Sequence, residues 1–337
     1  MEDPRCNRPH AVRPPRAVIG QSKRGVCRVF CLSVPSRMLA IATRTRIVVV
    51  RLGIATTSSD DGAFAALFAL YAQAVEATRL REDVILDFEH CIFLHQNAVA
   101  FLGGLIRTVQ RAGCKVYIDE ASLNRRVRAN LGRNGFLHTL GLSHEPTPKG
   151  NSIPFREDHD ARNVMEYLRS DWLGRGWVNV STAVQDAIAA AVWELYGNAF
   201  EHGSSEVGVF SCGQRYPQRE EIALTIVDFG PGIPGTVRSV SSLADYEDDD
   251  AIEWAVLPGT TSKPGNRGMG LNLLLEFLRL NKGRVDILSH SGIVKIAGGR
   301  LLKRRSNHHF RGTVLNVMLK QDEKRYVFAN EVDEPLF

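Results

Sequence analysis

Glu194, Asn198 and His202 follow one another at four-residue intervals in WELYGNAFEHGSS, residues 193–205. That spacing puts an acid, an amide and an imidazole on a single helix face, where groups able to exchange protons or coordinate a ligand would act together. The preceding AVQDAIAAAVWELYGNAF supplies apolar positions for the opposite face, and Gly203 ends the helix. An amphipathic helix with a solvated polar side fits the same stripe.

Two further segments bear on that choice. In DFGPGIP, Asp228 to Pro234, an acid at a strand end is followed by Gly230 and Gly232. Such a turn lets backbone approach a ligand closely while Asp228 points into a pocket, although an ordinary Gly/Pro turn reads the same way. In GTTSKPGNRGMGLNLLLEFLRLNKG, Gly268 and Gly270 stand at the entrance of an apolar helix. Glycines there expose backbone N–H groups at the positive end of the helix dipole, which makes either a phosphate cradle or a flexible helix start.

These residues need elements to hold them. TRIVVVRLG, DVILDF and KVYIDE read as strands, and DDGAFAALFALYAQAVEATRL and NAVAFLGGLIRTVQRAG as the helices between them, the first opened by Asp60 and Asp61. ASLNRRVRANLGRNGFLHTLGL adds a basic helix, and SHEPTPKGNSIPF reads as a linker. The second half starts with helical REDHDARNVMEYLRSDWL, runs through the polar-striped helix to the strands EVGVFSCG and EIALTIVDFG, and then alternates loop, helix and strands. The expected fold class is α/β. An amino-terminal α/β domain spans 44–142, and a linker spans 143–155. An α+β domain spans 156–320, its mixed sheet covered by helices on one face, and a tail spans 321–337.

The 337 residues are 44% hydrophobic and 23% charged with a net charge of +5, an ordinary globular composition. Much of the positive excess lies in residues 1–37, where seven Arg and one Lys face only Glu2 and Asp3 among five prolines. We read residues 1–43 as a disordered basic leader, similar in composition to a transit peptide, with Met38 as an alternative start. The uneven charge disfavours nucleic acid as partner. No run reaches the length of a membrane span. The six cysteines lack CxxC pairs or histidines at ligand spacing, so reduced thiols and a cytoplasmic location are expected.

Taken in order, the motifs resemble the Bergerat-fold (GHKL) ATP-binding family of gyrases, heat-shock chaperones, histidine kinases and MutL-type repair proteins. Glu194 and Asn198 match its N box, Asp228, Gly230 and Gly232 its first glycine box, and Gly268, Gly270 and Leu271 its second. Thr313 in FRGTVLNVML stands where the family has a threonine beside the adenine-binding acid. The resemblance implies ATP and Mg²⁺ as cofactors. It gives Asn198 to the metal, Glu194 to the general-base role, Asp228 to the adenine amine and the backbone at Gly268, Gly270 and Leu271 to the phosphates. Ile233 and Lys263 join the nucleotide site, and residues 236–267 form a mobile lid containing acidic YEDDD. NAFEHG is similar to the ending of the N box in anti-sigma-factor serine kinases, where His202 either binds phosphate or simply ends the helix.

Residues 44–140 resemble a STAS domain, the fold of anti-sigma-factor antagonists, on the frame of Ile85, Leu86, Phe93, Leu94 and Val116. Where that family carries its phosphorylated DSSG loop, this chain reads His95, Gln96, Asn97, Ala98, with no hydroxyl. The expected protein is therefore a degenerate STAS-like module fused to an ATP-binding domain, an ATPase or serine/threonine-type kinase acting on a protein partner of the sigma-factor or signalling-regulator kind. A homodimer is among the assemblies this allows. The alternatives are a nucleotide-sensing module without turnover and histidine-kinase-type phosphotransfer, the latter disfavoured because no phosphoacceptor helix pair precedes the N box. A DNA-topology or repair ATPase would need a long transducer domain, and only residues 314–337 follow Thr313.

Overall fold

Two five-stranded sheets organise the chain, one largely parallel and one antiparallel. The computed structural model describes residues 18–21, 26–31, 48–58, 61–144, 150–201, 205–257 and 269–331. Met38, His202, Gly203, Lys263 and Gly268 lie outside them, as does residue 145–149 of the expected linker.

The amino-terminal half contains β1 (Val18–Gln21), β2 (Val26–Cys31), β3 (Val49–Gly53), α1 (Asp61–Arg79), β4 (Asp83–Asp87), α2 (Gln96–Arg111), β5 (Val116–Asp119), α3 (Arg125–Arg133) and α4 (Phe136–Thr139). Its strands lie in the order β1-β2-β5-β4-β3. β3, β4 and β5 are parallel because α1 and α2 each cross back between consecutive strands. β1 and β2 pair as an antiparallel hairpin, and β2 runs antiparallel to β5. This corrects the reading of residues 1–43 as wholly disordered: VCRVFC pairs with the open edge of β5 and VIGQ pairs in turn with VCRVFC, despite the arginines in this stretch of sequence. The basic helix expected over 121–142 is two helices, the first capped by the Asn124 side chain, which accepts from the N–H groups of Arg126 and Val127.

The carboxy-terminal half comprises β6 (Ser152–Asp158), α5 (Val164–Glu166) continuing as a π-turn through Trp172, α6 (Thr182–Glu201), β7 (Val209–Tyr216), β8 (Glu221–Asp228), α7 (Gly232–Val237), α8 (Asp248–Val256), α9 (Met269–Asn281), β9 (Arg284–Ala297) and β10 (Arg300–Lys320). The order is β6-β7-β8-β10-β9, and every neighbouring pair is antiparallel, which corrects the expected mixed sheet. The crossover through α7, α8 and α9 does bring β9 back parallel to β8, but β10 inserts between them. Residues 152–155, expected in the linker, instead begin β6, an edge strand on which Pro154 costs no ladder bond. The expected tail also docks in part. The Ser181 N–H donates to the Tyr326 carbonyl at 2.9 Å, and the Tyr326 ring meets Phe277 at 5.3 Å.

Residue parity on β8 shows how the halves join. Ile222, Leu224 and Ile226 face α6 and α9, packing with Ile188, Val192, Leu274 and Phe277. Val227 points the other way, into a core shared with Phe64, Phe68 and Phe101 of α1 and α2, and all eight β8 residues are buried. Helices were expected on one face of this sheet. The other face is covered as well, by the amino-terminal half, because IALTIV, apolar but for Thr225, leaves β8 no side for water. No helix among the described residues is long and apolar enough to cross a membrane.

Candidate nucleotide site

Asp228 is the last residue of β8 and lies on the face that carries α6. In register beside it come Thr313 of β10 and then Ser289 of β9, so three polar side chains form one row across the ends of three strands. The Asp228 carboxyl is 5% exposed and accepts a 2.9 Å hydrogen bond from the Gly230 N–H. Burial raises its pKa to about 6, against the opposing effects of the Gly230 N–H and the Thr313 hydroxyl. At neutral pH it is mostly ionised, an acceptor in a setting that favours any donor brought to it.

The turn above Asp228 is held by the same row. The Ser289 hydroxyl donates to the Gly312 carbonyl at 2.6 Å and accepts from the Ile233 N–H at 3.0 Å. Gly232 has φ +73°, and a Cβ there would come within 2.6 Å of Ser289 Oγ and 2.9 Å of the Gly312 oxygen. Only glycine combines that conformation with so close an approach. The Ile233 side chain is half-buried against the core, so its clearest placement is through its backbone.

Glu194 and Asn198 lie on α6, which packs against α9 and the strands of this face; Glu194 is half-buried and Asn198 exposed. Leu271, in the first turn of α9, packs on the same core, and Gly270 precedes it in the helix. The structure thus puts Asp228, Gly230, Gly232 and Thr313 together at the strand ends, on the sheet face that α6 and α9 cover. Among the described residues, no group of three or more His, Cys, Asp or Glu could hold a metal.

The acidic part of the expected lid is not a loose loop. Asp248, Asp249 and Asp250 form the first turn of α8, where the helix dipole favours negative charge. Asp248 accepts from Arg238 at 2.7 Å and from the Ser291 N–H at 3.0 Å. Lys303 reaches Asp250 and Glu253 at 2.6 and 2.7 Å, and Arg305 reaches Glu247 at 3.0 Å. A basic stretch of β10 therefore neutralises YEDDD. His290, beside Ser289, bonds the Pro231 carbonyl through Nε2 at 2.7 Å and places Nδ1 3.6 Å from Asp248. Sequence reasoning missed Ser289, His290 and this clasp. The one available signal was a hydroxyl at Ser289, where the inward alternation of Val285 and Ile287 calls for an apolar residue.

The segment expected as a loop is instead the start of α2, with His95 as its N-cap and Gln96, Asn97 and Ala98 in its first turn, all buried against the second sheet. Gln96 Nε2 donates to Asn316 Oδ1 at 3.0 Å and to Thr225 Oγ1 at 3.2 Å, and the Tyr216 hydroxyl donates to Gln96 Oε1. The His95 ring stacks on Tyr216 at 4.9 Å. No protein-family profile matches the chain, and no curated protein is significantly similar to it in sequence.

Proposed function

We propose that the carboxy-terminal half binds ATP with Mg²⁺ in a GHKL-type site and that the chain is a regulatory ATPase or protein kinase acting on a protein partner. The observation that carries this reading is the buried Asp228 carboxyl in register with Thr313 and Ser289, beneath a turn that tolerates only glycine at 232. An ionised, desolvated carboxylate at the floor of such a turn suits the exocyclic amine of adenine and repels the carbonyl of guanine. Gly232 lets backbone close on a flat ring.

The other residues support the same assignment. Asn198, exposed on α6, would offer its amide oxygen to Mg²⁺; a metal shared with phosphates needs only one or two protein ligands, so no carboxylate cluster is required. Glu194, one helical turn earlier on the same face, would orient and deprotonate the attacking water or hydroxyl. Backbone from Gly268 to Leu271 at the start of α9 would hold the phosphates. Bound Mg²⁺–ATP would supply an activated phosphoryl group. The amino-terminal half, with the hydroxyl-free start of α2 buried, would act as a fixed docking surface rather than a phosphoacceptor.

Incubating the purified chain with γ-labelled ATP and Mg²⁺ tests the reading. Released phosphate identifies an ATPase, and label retained on protein identifies a kinase. Nucleotide-dependent stabilisation without either identifies a sensor. Absence of all three contradicts the proposal.

A further inference from the structure

Consecutive residues of a strand point to opposite faces, and at the end of β8 this alternation separates two functions. Asp228 faces the candidate site, while Phe229 faces the amino-terminal half. The Phe229 ring lies 5.0 Å from Phe310, 5.5 Å from Phe101 of α2, 6.0 Å from Phe210 and 6.1 Å from Tyr71 of α1. It is also seated on Gly104 of α2, where a Cβ would fall 1.9 Å from Cε2 and 2.7 Å from Cζ of the ring. The ring is thus held on several sides by both halves, and no side chain at residue 104 would leave it in place.

Resting on the nucleotide reading above, we propose that Phe229 is a positioning residue through which docking of α1 and α2 sets the placement of Asp228 and Gly230, and so the affinity for adenine nucleotide. Asp228 and Gly230 are its chain neighbours, and a ring locked in a packed cluster leaves the intervening backbone little freedom. By linkage, nucleotide binding would strengthen the docking by the same factor that docking strengthens binding. The glycine at 104 is then the seat that lets the ring approach the α2 backbone.

The test uses the full chain and titrates ADP by calorimetry on wild type, Gly104→Ala, Phe229→Leu and the double variant. Gly104→Ala should raise Kd by about 10-fold, a typical coupling between sites, although residue 104 lies on the opposite face of the sheet from the nucleotide. Phe229→Leu should weaken binding less, and adding it to Gly104→Ala should restore part of the loss, since leucine has no atoms at the Cε2 and Cζ positions and keeps only a δ-carbon, which can turn away from the 2.5 Å approach of Cδ2. A purely structural role would lower melting temperature while leaving Kd of the folded protein unchanged, and that result overturns the coupling. If Gly104→Ala does not fold, an unchanged Kd in Phe229→Leu overturns it equally. A wild type that binds no ADP overturns the nucleotide reading and this inference together, whereas a wild type that binds while the variants keep its Kd overturns only the coupling.

Discussion

The same three strands, β8, β10 and β9, carry two polar rows on opposite faces. Asp228, Thr313 and Ser289 form one, facing α6; Thr225, Asn316 and Asp286 form the other, facing α2. The second row is bridged to α2. Gln96 caps Thr225 and Asn316, the Thr225 hydroxyl donates to Asn316 Oδ1 at 2.8 Å, and Asn316 Nδ2 donates to Asp286 at 3.0 Å, leaving one Asp286 oxygen without a partner. The first row ends at the strand termini and holds a carboxyl whose pKa is raised by burial to about 6. A network that bridges the two halves fixes how they meet, whereas a desolvated acid at the strand ends is poised to take a donor. Substitutions within the first row should therefore change function at little cost in stability, and those within the second row the reverse.

The largest expected effect is at Glu194. Glu194→Ala should lower turnover of ATP by about 10²- to 10⁴-fold, the range for a lost general base, with ADP affinity nearly intact in a binding titration. Equal losses of binding and turnover would make Glu194 structural. Next is Asp228→Asn, which should weaken adenine nucleotide by about 10- to 100-fold, roughly 1.5 to 3 kcal/mol.

The same variant should stabilise the nucleotide-free protein above neutral pH. The folded carboxyl has its pKa raised from 3.8 to about 6, so the folded state holds the proton more tightly than the unfolded chain. The stability this gives is complete below about pH 4 and is lost as pH rises through about 6. The penalty at pH 8 is up to about 3 kcal/mol. Denaturant melts of wild type and Asp228→Asn between pH 4 and 8 should therefore separate at the alkaline end, the variant being the more stable. Curves that stay parallel would break the distinction between the two rows.

Gln96→Ala tests the other face. It strips partners from Tyr216, Thr225 and Asn316 in the interior and should cost about 1 to 3 kcal/mol in denaturant melts, with ADP affinity changed far less than by Asp228→Asn. The smallest effect expected is none. Gln96, Asn97 and Ala98 are 1%, 0% and 0% exposed, so mass spectrometry after incubation with ATP and Mg²⁺, under acid-stable and acid-labile conditions, should find no phosphate from His95 to Ala98.

Much of this was legible in the chain and part was not, for definable reasons. The strands around DVILDF and EIALTIVD and the helices beginning near Asp61 and Gln96 follow from local periodicity, and the structure forms them where the periodicity ends. The rows across β8, β10 and β9 could not be read, because Thr225, Asn316 and Asp286 become neighbours only once β10 has inserted between β8 and β9. The docking of the two halves was not read: the sheet was expected to carry helices on one face only, and nothing local said that Gly103 and Gly104 would seat the aromatic rings of Phe155, Phe210 and Phe229. Composition misled twice. The prolines and glycines of SHEPTPKGNSIPF suggested a linker where β6 begins, and YEDDD suggested a mobile lid, although its charges pair with Lys303 and Arg305 of β10 and with Arg238 just before it.

The central claim, an adenine site built on Asp228, is tested most directly by the melting temperature of the full chain with Mg²⁺ and either ATP or GTP over a wide concentration range. ATP at about 100 times its Kd should stabilise the protein by about 2.7 kcal/mol, and GTP at the same concentration should give a clearly smaller shift because its carbonyl meets the Asp228 carboxylate. No shift with ATP, or equal shifts with both nucleotides, would contradict the account.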